Sequence, residues 1–184
     1  MVSQVNIEKA LALTGWMSER ELTWLAESAS KCKVIVEFGC YHGRSTRALA
    51  DNSNGTIYAV DPWNGDYPNE FGEILPNVNT FVLPQFKRNL ADHIITGRVI
   101  PCRAFSFGFN LPLGIKADMV FIDGDHRYES VVKDINKALS LLNDGGIIAG
   151  HDYGCPGWPG VEKAVLEKFG PVNIEDSIWW TRKS

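Results

Sequence analysis

Acids and imidazoles gather in two places along this chain. In "VEFGCYHGRS", residues 36–45, Glu37 precedes a glycine turn at Gly39 and Gly43, and Asp61 ends the next apolar run, "TIYAVD". In "IDGDH" Asp123, Asp125 and His126 follow one another, and "GHDY" supplies His151 and Asp152. An imidazole titrating near neutrality can take the proton of an attacking hydroxyl, so His126 beside Asp123 is a candidate general base. Two aspartates and a histidine (Asp123, His151, Asp152) could instead hold a divalent cation. Magnesium prefers oxygen donors, and the histidine shifts that preference towards manganese, iron or zinc.

The glycine turn poses a different question. A strand, a glycine turn and a helix N-terminus present backbone N–H groups to a cofactor. The spacing here is ExGxxxG, however, and the second and third glycine positions of a dinucleotide GxGxxG hold Tyr41 and Arg44. Both are large, and Glu37 would face the doubly negative pyrophosphate. S-adenosylmethionine (SAM) reverses the sign. Its sulfonium and ammonium suit Glu37, its carboxylate suits the turn N–H groups, Asp61 can accept both ribose hydroxyl protons, and Trp63 can lie against adenine. Taken singly, Glu37 could equally cap a loop and Asp61 a turn; successive strand ends make the pair more telling.

Apolar runs at 34–38, 56–61, 98–102, 118–123 and 146–151 alternate with helical patterns at 44–51 and 128–142, and a further helix covers 161–169. Ser18 and Glu21 have capping-box spacing ahead of Leu22, Leu25, Ala26 and Ala29, which predicts a helix over about 18–30. Residues 171–174 and 177–182 could close as an antiparallel hairpin. Strands alternating with helices specify an α/β fold, a doubly wound, mostly parallel sheet with ligands at the carboxyl ends of its strands. The stretch Pro62 to Thr80 fits no regular pattern and reads as a lid loop or a plain surface insertion.

A chain of 184 residues with 45 % apolar and 22 % charged side chains fits one domain over 1–184, with residues 1–30 an N-terminal helical segment. Its net charge of −4 offers no basic field for a nucleic acid. No stretch resembles a signal peptide or a membrane span, which leads to the expectation of a cytoplasmic protein without a membrane partner. The four cysteines form no CxxC pair and read as reduced thiols.

These motifs together resemble the class I SAM-dependent methyltransferases, in particular the small-molecule O-methyltransferase branch. The likeness runs through "GWMSERELTWLAESA", "VEFGCYHGRST", "AVD", "FIDGDHRYESV", "NDGGIIAGHDY", "PGVEKAVLEKF" and "SIWWTRK". It implies a Rossmann-like seven-stranded sheet with its last strand antiparallel, and in-line transfer of the SAM methyl group to a hydroxyl of a small-molecule acceptor. Glu37, Gly39, Tyr41 and Ser45 would line the methionine end and Asp61 the ribose. Arg103 and Ala104, with Asp123, would lie on the cofactor side, where the family usually has a small or acidic residue and a polar one. In catechol-type relatives the positions of Asp123, His151 and Asp152 hold magnesium, and a lysine base stands where His126 is here. Trp16, the 62–80 loop and "GCPGWPG" with Trp158 would build the acceptor pocket, and a homodimer is the candidate assembly. Two other readings stay open: a metal-dependent hydrolase or oxygenase on the same scaffold, and a SAM-binding protein without catalysis.

Overall fold

The apolar runs become the strands of a single sheet in the computed structural model, which describes residues 5–64 and 81–184. The strands are β1 (Val34–Phe38), β2 (Thr56–Asp61), β3 (Val99–Arg103), β4 (Ala117–Ile122), β5 (Leu142–Gly150), β6 (Asn173–Glu175) and β7 (Ile178–Arg182), in the order β3-β2-β1-β4-β5-β7-β6. The first five pair in parallel; β7 runs antiparallel to both β5 and β6. The expected sheet, with its antiparallel last strand, is present.

Alternation along the strands sends side chains to two cores. Ile35, Ile57, Met119 and Phe121 pack towards α1 (Glu8–Leu11), α2 (Glu19–Ala29), α3 (Arg44–Asn52) and α4 (Val82–Asn89). Val36, Phe38, Val120 and Ile148 pack towards α6 (Tyr128–Leu141) and α7 (Pro159–Phe169). Helices therefore cover both faces, which is why β1 and β4 are apolar almost throughout. A short α5 (Ala91–Ile95) leads into β3. Because β1 lies between β2 and β4, the chain changes direction of winding there, and the carboxyl ends of β1 and β4 open on the same crevice.

Two kinds of difference separate the structure from the sequence expectation. The helices α1, α4 and α5 have no counterpart in it, and β5 begins at Leu142 rather than near Gly146. The polar start of β5 stays extended because Leu142 pairs with Ala117 across a shift in register and Gly145 bonds to Lys183. The proposed lid loop lies outside the described residues from position 65 to 80. Among the described residues no helix is long and apolar enough to cross a membrane.

Candidate active site

At the end of β1 the chain must turn sharply against β4. Gly39 has φ +83°, and a Cβ there would lie 2.1 Å from the carbonyl oxygen of Asp123, so only glycine permits this approach. Gly43 (φ +89°) then starts α3 with a left-handed residue. Tyr41 is also left-handed at φ +46°, a conformation that costs a non-glycine residue and is held by its surroundings.

The surroundings are Asp61. Its Oδ2 accepts the backbone N–H groups of Cys40 (2.8 Å) and Tyr41 (3.0 Å), and its Oδ1 accepts that of Trp63 (2.7 Å). The carboxylate at the end of β2 thus fastens the glycine turn to its neighbour. Glu37 is fully buried and accepts hydrogen bonds from the hydroxyls of Ser45 and Thr46 on α3. Burial pushes its pKa up to about 7, against the pull of those two hydroxyls. Ser45 therefore faces Glu37 rather than open space.

Two aromatic residues flank the turn. Trp63 is 4 % exposed, donates its indole N–H to the Tyr41 carbonyl (3.1 Å) and packs on Phe86 with centroids 4.9 Å apart. The indole packs in the core cluster that includes Val82 and Phe86 of α4. Tyr41 instead carries the exposed stack, between Trp16 at 5.2 Å and His42 at 4.0 Å. Arg103, opposite Asp61 in the β2–β3 register, is exposed and bonds to the Pro62 carbonyl, while the Ala104 N–H bonds to the Asp61 carbonyl.

Arg44, the bulky residue at the third glycine position, has a structural task. Its guanidinium donates to the carbonyls of Leu11, Leu13 and Met17, clamping residues 11–17 onto the first turn of α3.

The second constellation forms at the ends of β4 and β5. His126 Nε2 lies 2.8 Å from Asp152 Oδ2 and 3.7 Å from Asp123 Oδ1. The nearer approach is short enough for a hydrogen bond but lies off the direction a ring N–H takes, so this buried nitrogen has no aligned partner among the described residues. Burial opposes charge on the ring, yet the two aspartates together outweigh it and raise the His126 pKa to about 9. Trp158 lies against the same ring at 4.8 Å. Asp152 itself is left-handed, φ +63°.

His151 is held from two sides. Its Nδ1 approaches Asp152 (3.2 Å) and Asp123 (3.5 Å), but its Nε2 is bonded to Glu21 on α2 at 3.1 Å. Desolvation disfavours the cation, while Asp123, Asp152 and Glu21 reverse that and push the pKa up to about 12. The expected set Asp123, His151 and Asp152 thus lies together, with Nδ1 of His151 facing both aspartates and its Nε2 held by Glu21. The three residues that each offer a ligand atom within 4.8 Å of the others are Asp123, His126 and Asp152.

Glu21 went unread as a site residue because its spacing already explained it as a helix cap. One signal was available: four residues before Leu25, it puts a carboxylate on the apolar face of its helix.

A family described as "Methyltransferase domain" matches residues 36–153. A relative in Acanthamoeba polyphaga mimivirus, an uncharacterized protein, is 39 % identical over 155 residues, 77 % of this chain. The chain spans 65 % of that relative's length. Among solved structures, the SAH-bound methyltransferase of Podospora anserina is similar with a TM-score of 0.67 at 15 % identity, covering 97 % of this chain and 86 % of the other. A TDP-rhamnose 3'-O-methyltransferase of calicheamicin biosynthesis gives 0.65 at 16 % identity, with 96 % and 90 % coverage. The O-methyltransferase TomG of Streptomyces achromogenes, solved with SAM, gives 0.64 at 14 % identity, with 98 % and 87 % coverage.

Proposed function

The chain belongs to the methyltransferase-domain family, and from that premise we propose that it is a SAM-dependent O-methyltransferase of a small hydroxylated molecule, with His126 as the base. The observation that carries this reading is the buried Nε2 of His126, set between two carboxylates and lacking an aligned partner, at the mouth of the crevice between β1 and β4. A nitrogen so placed can receive a proton.

SAM supplies an electrophilic methyl group on a sulfonium. In this reading the glycine turn, fixed by Asp61 and Glu37, takes the amino-acid and ribose ends, with Gly39, Tyr41, Arg103, Ala104 and Asp123 around them and Ser45 holding Glu37 from α3. His126 accepts the hydroxyl proton as the acceptor oxygen attacks, and Asp123 with Asp152 stabilises the imidazolium that results. Trp158, half-buried against that ring, is the wall for a ring-bearing acceptor such as a sugar or phenol. The TDP-rhamnose enzyme among the similar structures acts on an acceptor of that kind.

Asp123, His126 and Asp152 could also hold a divalent cation, and the orphaned nitrogen between two oxygens fits one with borderline nitrogen affinity, such as manganese or zinc. A cation there would acidify the acceptor hydroxyl and occupy the nitrogen, so base and metal are rival uses of one atom.

The test is transfer from methyl-labelled SAM across sugar and phenol acceptors, with and without EDTA, beside calorimetry of SAM. Methyl transfer that survives EDTA supports the base; loss restored by manganese supports the cation. Turnover without SAM would replace the reading with a metal-dependent hydrolase or oxygenase, and SAM binding without transfer with a catalytically silent binder.

A further inference from the structure

Glu21 belongs to a capping box, and a cap is all its position in α2 requires. Its Oε2 accepts the backbone N–H of Ser18 at 2.7 Å, and the Ser18 hydroxyl accepts the Glu21 N–H in return. A glutamate in this role is normally at the surface, where water shares its charge. This one is 4 % exposed. Burying a carboxylate is costly unless it is paired and hydrogen-bonded, so the second oxygen needs an explanation.

That oxygen, Oε1, accepts from three donors on two distant segments: the Ser177 hydroxyl (2.5 Å), the Ser177 N–H (3.2 Å) and His151 Nε2 (3.1 Å). His151 is 8 % exposed, and its backbone N–H is tied to the Ile122 carbonyl, so Glu21 completes the fixing of the ring plane. With Nε2–H committed to Glu21, Nδ1 has one direction left, towards Asp152 Oδ2 (3.2 Å) and Asp123 Oδ1 (3.5 Å). The oxygen of Asp152 that it approaches is the one that lies 2.8 Å from His126 Nε2. A chain of contacts thus runs Glu21, His151, Asp152, His126, from the N-terminal helix to the proposed base.

We propose that Glu21 is a positioning residue for the reaction: by holding Nε2 of His151 it fixes Asp152, and through Asp152 the ring of His126. The inference rests on the reading of His126 as the base. It differs from a pure cap in what glutamine can replace. In Glu21→Gln the amide oxygen could still cap Ser18, but the NH2 would then face His151 and Ser177 as a donor. The cap survives while the histidine bond reverses.

Glu21→Gln is therefore compared with Ser18→Ala, which breaks the same cap from its other side and leaves the Glu21–His151 bond in place. In ¹⁵N-histidine-labelled protein, wild type and Ser18→Ala should both show a slowly exchanging Nε2-bound proton for His151, and Glu21→Gln should lose or shift it. Turnover of Glu21→Gln should fall about 10–100-fold, the usual cost of losing a supporting partner, with KM for SAM unchanged. Ser18→Ala should lose comparable thermal stability and keep its rate. Should Glu21→Gln fail to fold, Ser177→Ala keeps cap and charge and removes one donor from Oε1; a shifted His151 resonance is then expected. An unaltered His151 resonance in the variant, or equal slowing in Ser18→Ala, overturns the proposal. The resonance needs no turnover, so a wild-type chain that transfers no methyl group sinks the activity reading while the Glu21–His151 bond is still decided by the spectrum.

Discussion

The two ends of the crevice satisfy their charges in opposite ways. Around the glycine turn, the carboxylates of Glu37 and Asp61 accept bonds from hydroxyls and backbone N–H groups, and together they set the shape of a loop. Across from it, Asp123 and Asp152 face two imidazoles, and the bond that would satisfy His126 is missing among the described residues. Backbone donors cannot move or change charge, so apart from Glu37 the first region is a fixed frame. Titratable partners can exchange protons, so the second is where a bond can be made and broken.

The sharpest way to break this contrast is His126→Gln. Loss of the base should reduce the chemical step by roughly 10²–10⁴ while SAM affinity is preserved, since the glycine turn is untouched. If His126 is the base, its ring must be neutral to accept a proton, and its pKa is raised to about 9. The rate should therefore climb with pH until about that value, and calorimetry beside a pH–rate profile checks both halves. A flat profile with full activity in the variant removes His126 from the mechanism.

A second measurement sharpens the other side. Glu37 has a folded pKa of about 7 against an ordinary 4.5. An acid with a raised folded pKa contributes its stability below its unfolded value and loses it as pH rises through the folded one. Stability should fall between about pH 4.5 and 7, by roughly 3 kcal/mol if the whole shift is expressed. Glu37→Gln should flatten that stretch of the curve in denaturant titrations. A cationic ligand favours the ionised acid, so SAM affinity should rise over the same interval. If the variant's curve keeps the wild-type slope, Glu37 is not the group that titrates.

Asp61→Asn follows with a smaller effect. One amide oxygen cannot serve the N–H groups of Cys40, Tyr41 and Trp63, and an NH2 facing a donor leaves a buried group unsatisfied, at about 1–3 kcal/mol. Melting temperature and SAM affinity should both drop, in contrast to His126→Gln, which should alter rate alone.

Which parts of this were legible beforehand follows from the range of the interactions. The runs at 34–38 and 56–61 became β1 and β2 with those bounds, because a buried parallel strand writes itself as continuous apolar sequence. The helix at Val82–Asn89 did not announce itself: Pro84 reads as a breaker, although a proline in the first turn costs no helical hydrogen bond. Asp123, His126 and Asp152 could be nominated because each follows a strand. The turn of His151 towards Glu21, 130 residues away in sequence, depends on how α2 docks and leaves no local trace. The packing of Trp63 on Phe86 leaves no local trace either, since Phe86 comes from an unpredicted helix.

The smallest predicted effect concerns a segment that touches both regions. Residues 11–21 are pinned to the glycine turn by Arg44 at Leu11, Leu13 and Met17, and to the β5 end by Glu21 at His151. Arg44 is partly exposed, so its bonds are shared with water and worth less than buried ones. Arg44→Met keeps the aliphatic stem, which packs against Gly15, and removes every donor. A loss of about 1 kcal/mol is expected, with a modest fall in melting temperature. The informative part is the pattern. If the segment couples the two regions, hydrogen exchange should quicken in residues 11–21 as a unit, and the Nε2-bound proton of His151 should exchange faster too. If only residues 11–17 loosen and His151 is unchanged, Ser18 and Glu21 hold the β5 end without help from Arg44, and the two regions are independent.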